Sequence, residues 1–564
     1  MEDKIEFIVT LKNRDDLEKF YRDMEHRDCE NYCVPSREVV PCIKRPISRN
    51  THYYLTEDEA KLLRNDPRVL DVMPAKIILD SIAPLWTQNS IWDKSESVSS
   101  SYKNWALKRC VANQNEENWG SEDGKNSQIT ATSEIDLNGR DVDVIIIDGH
   151  FDPTHPEFAV DPSGTGGTRV NQYNWFQLND LVSSIDDDGY DVISSDQYLY
   201  EPYLDISTVQ RTLDNNHGCH VAGIAAGNTH GWARKSTIYN INPYPSNING
   251  TIFPLLLWDY IRAFHLTKQI NSTIGRKNPT VCNCSFGSTI NFPNTGGYIT
   301  GNITLASYRG EVISDPNGLT YQQLIDSKIY KNPESDYVKV PLFSAAISAD
   351  IEDAISDGII VVGAAGNSSF RVVKDSDQDY NNYFYATYDG INYMWYFHRG
   401  TTPSAVSGVM CVGSSSSLST DQKSDSSECG NRIDIFAPGE NIMSSVNTLT
   451  YVTGTNDPRN SNYKISKYNG TSMASPQVAG LIACILERYP NLGQEEINSL
   501  IKNSSKNTIL NNQSDDAADT SSLQGAENRM LYYKNERKLR GKIAYPANNR
   551  RQRDETGVSY PRNI

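Results

Sequence analysis

The stretch Lys467-Tyr-Asn-Gly-Thr-Ser-Met-Ala-Ser-Pro-Gln-Val-Ala-Gly480 decides how the rest of the chain is read. A glycine and two small hydroxyl residues lead into the apolar run 478–486, whose composition is that of a buried helix. Ser472 then sits on a tight turn at a helix N-terminus, where unpaired backbone N–H groups and the positive end of the helix dipole gather. Donors placed there can stabilise an oxyanion beside the hydroxyl. Pro476 fits, because the first helical turn needs no N–H from it. Taken alone, the stretch also reads as a hydroxyl-capped core helix, and residues upstream decide between the two.

Working outward, Arg140-Asp-Val-Asp-Val-Ile-Ile-Ile-Asp-Gly149 is a nearly continuous β-branched run, as a central parallel strand covered on both faces requires. Asp148 ends it, where open α/β sheets place their sites and where an unpaired carboxylate would be costly. Its structural alternative is an N-cap for the next element. Asp214-Asn-Asn-His-Gly-Cys-His-Val-Ala-Gly-Ile-Ala-Ala-Gly227 is a polar turn running into a small-residue helix, with His217 at the turn. A metal site on His217 and His220 lacks a suitably placed carboxylate. The run 358–364 reads as another buried strand, and Asn367 follows it after the small residues Ala365 and Gly366.

Bulk properties bound the rest. With 564 residues, the chain predicts a large core with appended pieces. A net charge of -17 argues against a general nucleic-acid binder, and no apolar run approaches the length of a membrane span. The start, Met-Glu-Asp-Lys-Ile-Glu, has no apolar signal core, which points to the cytoplasm or to an assembly rather than to Sec-dependent secretion. Ten cysteines in so long a chain make no compact disulfide framework.

Residues 4–11 read as a strand, and a helix from Asp15 to Met24 follows. A strand at 52–55 leads to Thr56 and Glu59, spaced as a capping box opening a helix through Leu63, and a last strand covers 69–74. This predicts a small ferredoxin-like α+β domain over 1–80. Residues 81–103 read as a linker, and the main domain is expected over 104–505. Within it, 288–345 and 370–400 read as loop insertions, and 506–564 as a polar, basic C-terminal extension suited to docking a protein partner.

Hydrolysis of an unactivated amide needs a nucleophile, a general base, a group orienting that base, and oxyanion donors. Ser472, His217, Asp148 and Asn367 offer each once. The segments VIIIDGH (144–150) with THPEF (154–158), NHGCHVAG (216–223), VVGAAGN (361–367) and NGTSMASP (469–476), with FAPG (436–439) before the last, resemble the subtilisin-like serine proteases. The resemblance runs over about 104–505, where Asn104-Trp-Ala-Leu-Lys-Arg109 is similar to the start of the mature enzymes. It implies a three-layer α/β sandwich with a mostly parallel central sheet and a serine endopeptidase acting on polypeptides. Ser472 would be the nucleophile, His217 the base, Asp148 its orienting partner and Asn367 an oxyanion donor. Ser285-Phe-Gly287 matches the edge along which substrate adds as a strand.

Residues 55–74 are similar to the end of the family's inhibitory pro-segments, which implies a self-processed zymogen whose partner is its own N-terminal domain. No cofactor is required for the chemistry. A structural calcium is a family-level expectation, with Asp186-Asp-Asp188 as one acidic loop. Two departures stand out. Gly149-His150 follow Asp148 where the family has Ser/Thr-Gly, and Cys219 replaces a threonine, which predicts sensitivity to mercury. A different reading makes the chain a latent docking component of a larger assembly such as a virus particle.

Overall fold

The computed structural model describes residues 4–26, 39, 50–74, 86–87, 105–111, 134–135, 137–149, 151–178, 181, 216–242, 253–287, 289–295, 298–299, 303–313, 337–388, 391–417, 421–447, 454–514 and 519–533. Two compact units result, Met1–Leu85 with residues 534–564, and Trp86–Tyr533.

In the first unit, strand β1 (Ile5–Leu11) is central to an antiparallel sheet, flanked by β2 (Asn50–Leu55) and β3 (Val69–Pro74). Phe7, Val9 and Leu11 alternate along β1 and are buried, as the two-residue period demands. Helix α1 (Leu17–His26) packs Phe20, Tyr21 and Met24 into the same core. Helix α2 (Glu57–Leu63) opens with the expected capping box, Thr56 Oγ1 accepting from Glu59 N at 3.2 Å and Glu59 Oε2 accepting from Thr56 N at 2.8 Å. Arg68 ties the unit together, donating to Asp66 and Asp23 and lying 5.0 Å over the Phe20 ring. Residues 27–49 of the expected ferredoxin-like domain lie, apart from Val39, outside the described residues.

The second unit is built on seven parallel strands. These are β4 (Asp143–Ile147), β5 (Val170–Asn171), β6 (Thr237–Ile241), β7 (Thr280–Cys284), β8 (Ile360–Ala364), β9 (Met410–Ser415) and β10 (Ile435–Pro438). Their order is β10-β9-β8-β7-β4-β6-β5. Every residue of β4, β7 and β8 is buried, which is why β4 and β8 read as mostly apolar runs rather than alternating ones. On one face, Ile145, Ile147, Cys282, Cys284 and Val361 join a core with helices α5 (Phe253–Thr267) and α6 (Ala345–Ser356). Helices α4 (Asn216–Ala226) and α7 (Thr471–Arg488) pack together over the sheet. Their approach is close: a Cβ at Gly480 would lie 2.4 Å from the Ala225 carbonyl oxygen.

Three boundaries differ from the sequence reading. Trp86–Thr87 pairs with Glu134–Ile135, so part of the expected 81–103 linker belongs to the main unit. The expected loops at 288–345 and 370–400 contain strands. Thr289–Thr295 pairs with Tyr337–Pro341, and Ile303–Tyr308 pairs with Tyr383–Tyr388, which also pairs with Ile391–Tyr396. The first pair belongs to a sheet of its own, and the two insertions share a four-stranded antiparallel sheet through the pairing of Ile303–Tyr308 with Tyr383–Tyr388. Asp379 fastens it, receiving Arg309 from one insertion at 2.6 and 2.9 Å and Arg371 from the other at 2.7 Å. Lastly, the C-terminal extension is not free from residue 506. Ile509, Leu523, Ala526 and Met530 are buried against Phe436 and Phe370, and Met530 exchanges backbone hydrogen bonds with Lys506.

Arg432 anchors β10 from inside. It donates to Asp434 at 2.7 Å and to the carbonyls of Val406 and Val409 at 2.8 and 2.9 Å, and is almost fully buried. Arg432→Ala would leave the Val406 and Val409 carbonyls buried without a donor while Asp434 keeps Lys502, and buried acceptors left unsatisfied cost about 1–3 kcal/mol. Urea unfolding of the purified chain measures this, and a loss below about 1 kcal/mol would show that Arg432 is not an anchor.

Candidate active site

Asp148 follows β4 directly and stays nearly buried, its backbone N–H bonded to Ile241 O at 3.1 Å. Asn240 Nδ2 holds its carbonyl at 3.1 Å, and Gly149 N–H donates to Oδ1 at 2.7 Å. His217 stands on the first turn of α4, with Nδ1 2.8 Å from Asp148 Oδ2 and 3.0 Å from Oδ1. Gly218 makes this approach feasible: a Cβ there would lie 2.0 Å from the Gly149 carbonyl oxygen. The carboxylate selects the Nδ1–H tautomer, leaving Nε2 as the basic nitrogen. Burial by itself would lower the His217 pKa, but the charge of Asp148 and its hydrogen bond outweigh burial, and the pKa is raised.

Ser472 is the second residue of α7, after Gly470 turns the chain at φ +137°. Its hydroxyl donates to the Ser285 carbonyl at 3.0 Å, and the Ser285 hydroxyl donates to the Ser472 carbonyl at 2.9 Å. Asn283 supports this exchange, donating to Ser285 Oγ at 2.8 Å and accepting from Ser475 Oγ at 2.6 Å. Ser472 is thereby fixed to the end of β7. Asn367 lies past the end of β8, its Oδ1 accepting from Thr471 N–H at 2.8 Å and from Thr471 Oγ1 at 3.0 Å. Two donors on the oxygen fix the amide, so the Nδ2 group is turned away from Thr471. Because β7 pairs with both β4 and β8, Asp148, Ser285 and Asn367 lie just past the same end of three adjacent strands. Sequence reading missed Thr471; its signal was its position beside Ser472 at the helix start.

Beyond the end of β7, Phe286 is half-buried against the core and Gly287 is exposed. A Cβ on Gly287 would meet Thr401 Cγ2. His220 faces away from the site, stacked on Tyr468 at 4.4 Å with Nε2 3.0 Å from Ser466 O. Burial pushes its pKa down to about 3, so it is a neutral core residue. Among the described residues no cluster of three or more metal-ligating side chains occurs, and Asp186–Asp188 lies outside them.

The mercury expectation fails on geometry. Positions two apart on a helix do not share a face, so Cys219 points away from His217 and is fully buried. Burial also pushes its thiol pKa up, the opposite of a reactive cysteine.

Residues 139–526, well over half the chain, match the subtilase family model, Peptidase_S8. The chain belongs to the subtilase family. Among its relatives, an extracellular protease of Xanthomonas campestris is 30% identical over 29% of this chain and 22% of its own length. Subtilisin DY of Bacillus licheniformis is 25% identical over 39% of this chain and 68% of its own, and subtilisin E of Bacillus subtilis 27% identical over 30% and 34%. The match thus spans about a fifth of the first relative's length. A crystal structure of a cold-adapted subtilisin-like serine proteinase aligns with a TM-score of 0.42 at 19% identity, over 76% of this chain and 98% of that one. The mostly parallel α/β sheet agrees with the family assignment.

Wild type and Cys219→Thr are expected to respond identically to an organomercurial in a peptide-hydrolysis assay. Loss of sensitivity only in the threonine variant would show that Cys219 is exposed in solution.

Proposed function

We propose that this subtilase is a serine endopeptidase in which Ser472, His217, Asp148 and Asn367 act together. The observation that carries the reading is the 2.8 Å His217–Asp148 pair, placed at the same sheet edge as Ser472 and the anchored Asn367 amide. The Ser472 hydroxyl turns from the Ser285 carbonyl toward His217, which takes the proton as Oγ attacks the substrate carbonyl. Negative charge moves to the carbonyl oxygen, where Asn367 Nδ2–H and the Ser472 backbone N–H donate to it. Protonated His217, stabilised by Asp148, then gives its proton to the leaving amine. Water repeats the sequence on the acyl-enzyme and frees Ser472. The substrate lies as an extended strand along Ser285, Phe286 and Gly287.

The same reading makes residues 1–80 a pro-domain that the enzyme removes from itself. The docking alternative gains no supporting observation, since its basic tail lies outside the described residues. The cytoplasmic expectation is likewise unsupported: one relative is named an extracellular protease. Among the described residues no helix is long and apolar enough to cross a membrane.

Intact-mass analysis of wild type and Ser472→Ala, each treated with a fluorophosphonate, tests the proposal. Wild type is expected to lose its N-terminal segment and to label, while the variant stays whole and unlabelled. Labelling without shortening would remove the self-processing part, and an unlabelled wild type would remove the enzyme itself. The pH profile follows from the raised His217 pKa. Activity needs neutral His217, so kcat/KM should fall as pH drops through a value above the ordinary histidine pKa of about 6.5. Asp148→Asn removes the group that outweighs burial, so the acid limb should move to lower pH while kcat falls by about 10⁴. An unmoved limb would mean that His217 is not the titrating base.

A further inference from the structure

Asn367 is gripped from two sides, and only one grip is Thr471. Behind it, segment 366–370 runs against 426–429: Glu428 N–H donates to Gly366 O at 3.2 Å, Ser369 N–H to Ser426 O at 3.0 Å and Cys429 N–H to Phe370 O at 2.9 Å. The Glu428 side chain, only 4% exposed, turns back into this loop. Its Oε1 accepts from Ser368 N–H at 3.3 Å and its Oε2 from Phe370 N–H. Gly366 leaves room for the carboxylate: at φ +123° a Cβ would lie 2.5 Å from Glu428 Oε1.

Glu428 is itself held in place. Ser427 Oγ donates to the Glu428 carbonyl at 3.0 Å and accepts from Ser414 N–H on β9 at 3.0 Å. The buried Lys423 ammonium donates to Ser427 O at 2.7 Å and Ser424 O at 2.9 Å, and its charge is felt by Glu428. A buried carboxylate is expensive, and a neutral acceptor would satisfy two N–H groups at lower cost. What the charge adds is stiffness, because charge-assisted hydrogen bonds are short and roughly twice as strong as neutral ones. Its Coulomb effect on a nearby oxyanion would be unfavourable, so any catalytic benefit must come through geometry.

We propose that Glu428 is a positioning residue for the oxyanion hole, its carboxylate clamping the backbone that follows Asn367 while its own N–H holds Gly366 before it, so that Nδ2 is already aimed before charge develops. The proposal rests on the endopeptidase reading. Losing an oxyanion donor outright costs about 10²–10³ in kcat, a figure obtained with subtilisin itself. Slackening that donor should cost less.

The test compares wild type, Glu428→Ala, Glu428→Gln, Asn367→Gly and the Glu428→Ala/Asn367→Gly double variant on a chromogenic peptide anilide. Active sites are counted with a fluorophosphonate, and folding is followed by thermal unfolding. Glu428→Ala should lower kcat about 10- to 100-fold with KM within about twofold, the pattern of an interaction made in the transition state. Glu428→Gln, which keeps one acceptor oxygen, should fall between the two. Once Asn367 is glycine, removing Glu428 should cost less than about threefold, because residues acting as a unit are non-additive. An equal loss in both backgrounds, or a change confined to KM, would make Glu428 a structural brace and overturn the proposal. Should the alanine variant fail to fold, the glutamine variant in both Asn367 backgrounds decides by the same criterion. A wild type that neither labels nor turns over would remove the endopeptidase reading and this proposal with it. An active wild type with an unaffected Glu428→Ala would remove this proposal alone.

Discussion

Helix α7 is apolar or small on nearly every side, and a helix of that kind has to be enclosed. The seven-stranded sheet supplies one wall and α4 another. Enclosure limits residue size at the contacts, which is why Gly480 faces the Ala225 carbonyl between the helices and Gly223 faces the hydroxyls of Ser444 and Ser445 on the strand Ile442–Val446. It also dictates where the chemistry can be. With the helix body buried, only its first turn reaches the edge of the sheet, and Ser472 is on that turn. The parallel strands end there together, so Asp148 after β4, Ser472 bonded to the end of β7 and Asn367 after β8 lie along one edge of the sheet.

Much of this was legible in the residues, and the reasons differ element by element. Strands β4 and β8 are covered on both faces, so burial writes itself into sequence as unbroken β-branched runs. The capping box of α2 was readable because both partners lie within four residues. The insertions were not. Ile303–Tyr308 finds its partner at Tyr383–Tyr388, and no local period announces a pairing across that separation. Buried residues of 506–533 are spaced irregularly, so Ile509, Leu523 and Met530 read as polar tail. Cys219 shows the opposite error, in which proximity along the chain was taken for proximity in space. Thr471 meets Asn367, and Glu428 meets the backbone beside it, only after folding, from positions that no local pattern in the sequence marks.

Charge is used inside this fold mainly to join distant segments. Arg459 reaches Glu157 across 302 positions, and Lys268 meets Asp143 across 125. Glu157 also accepts from the backbone N–H groups of Thr229 and His230 just past α4, so the helix carrying His217 is fastened at its far end by the residues that follow Asp148. Buried pairs of this kind contribute little net stability compared with apolar packing. They penalise wrong arrangements, since any misplacement strands a charge in the interior.

Helix α3 (Trp105–Val111) shows what such pairing means for a chain made from one end. Arg109 is fully buried and bonds to Asp421 and to Thr508, while the Cys110 carbonyl accepts from Tyr533 N–H at 2.7 Å. The first described helix of the unit is therefore completed by nearly its last described residues. During synthesis Arg109 emerges early and waits, its partners still unmade, until most of the chain has left the ribosome. These joins between the two ends of the unit therefore form only when the polypeptide that carries them is almost whole.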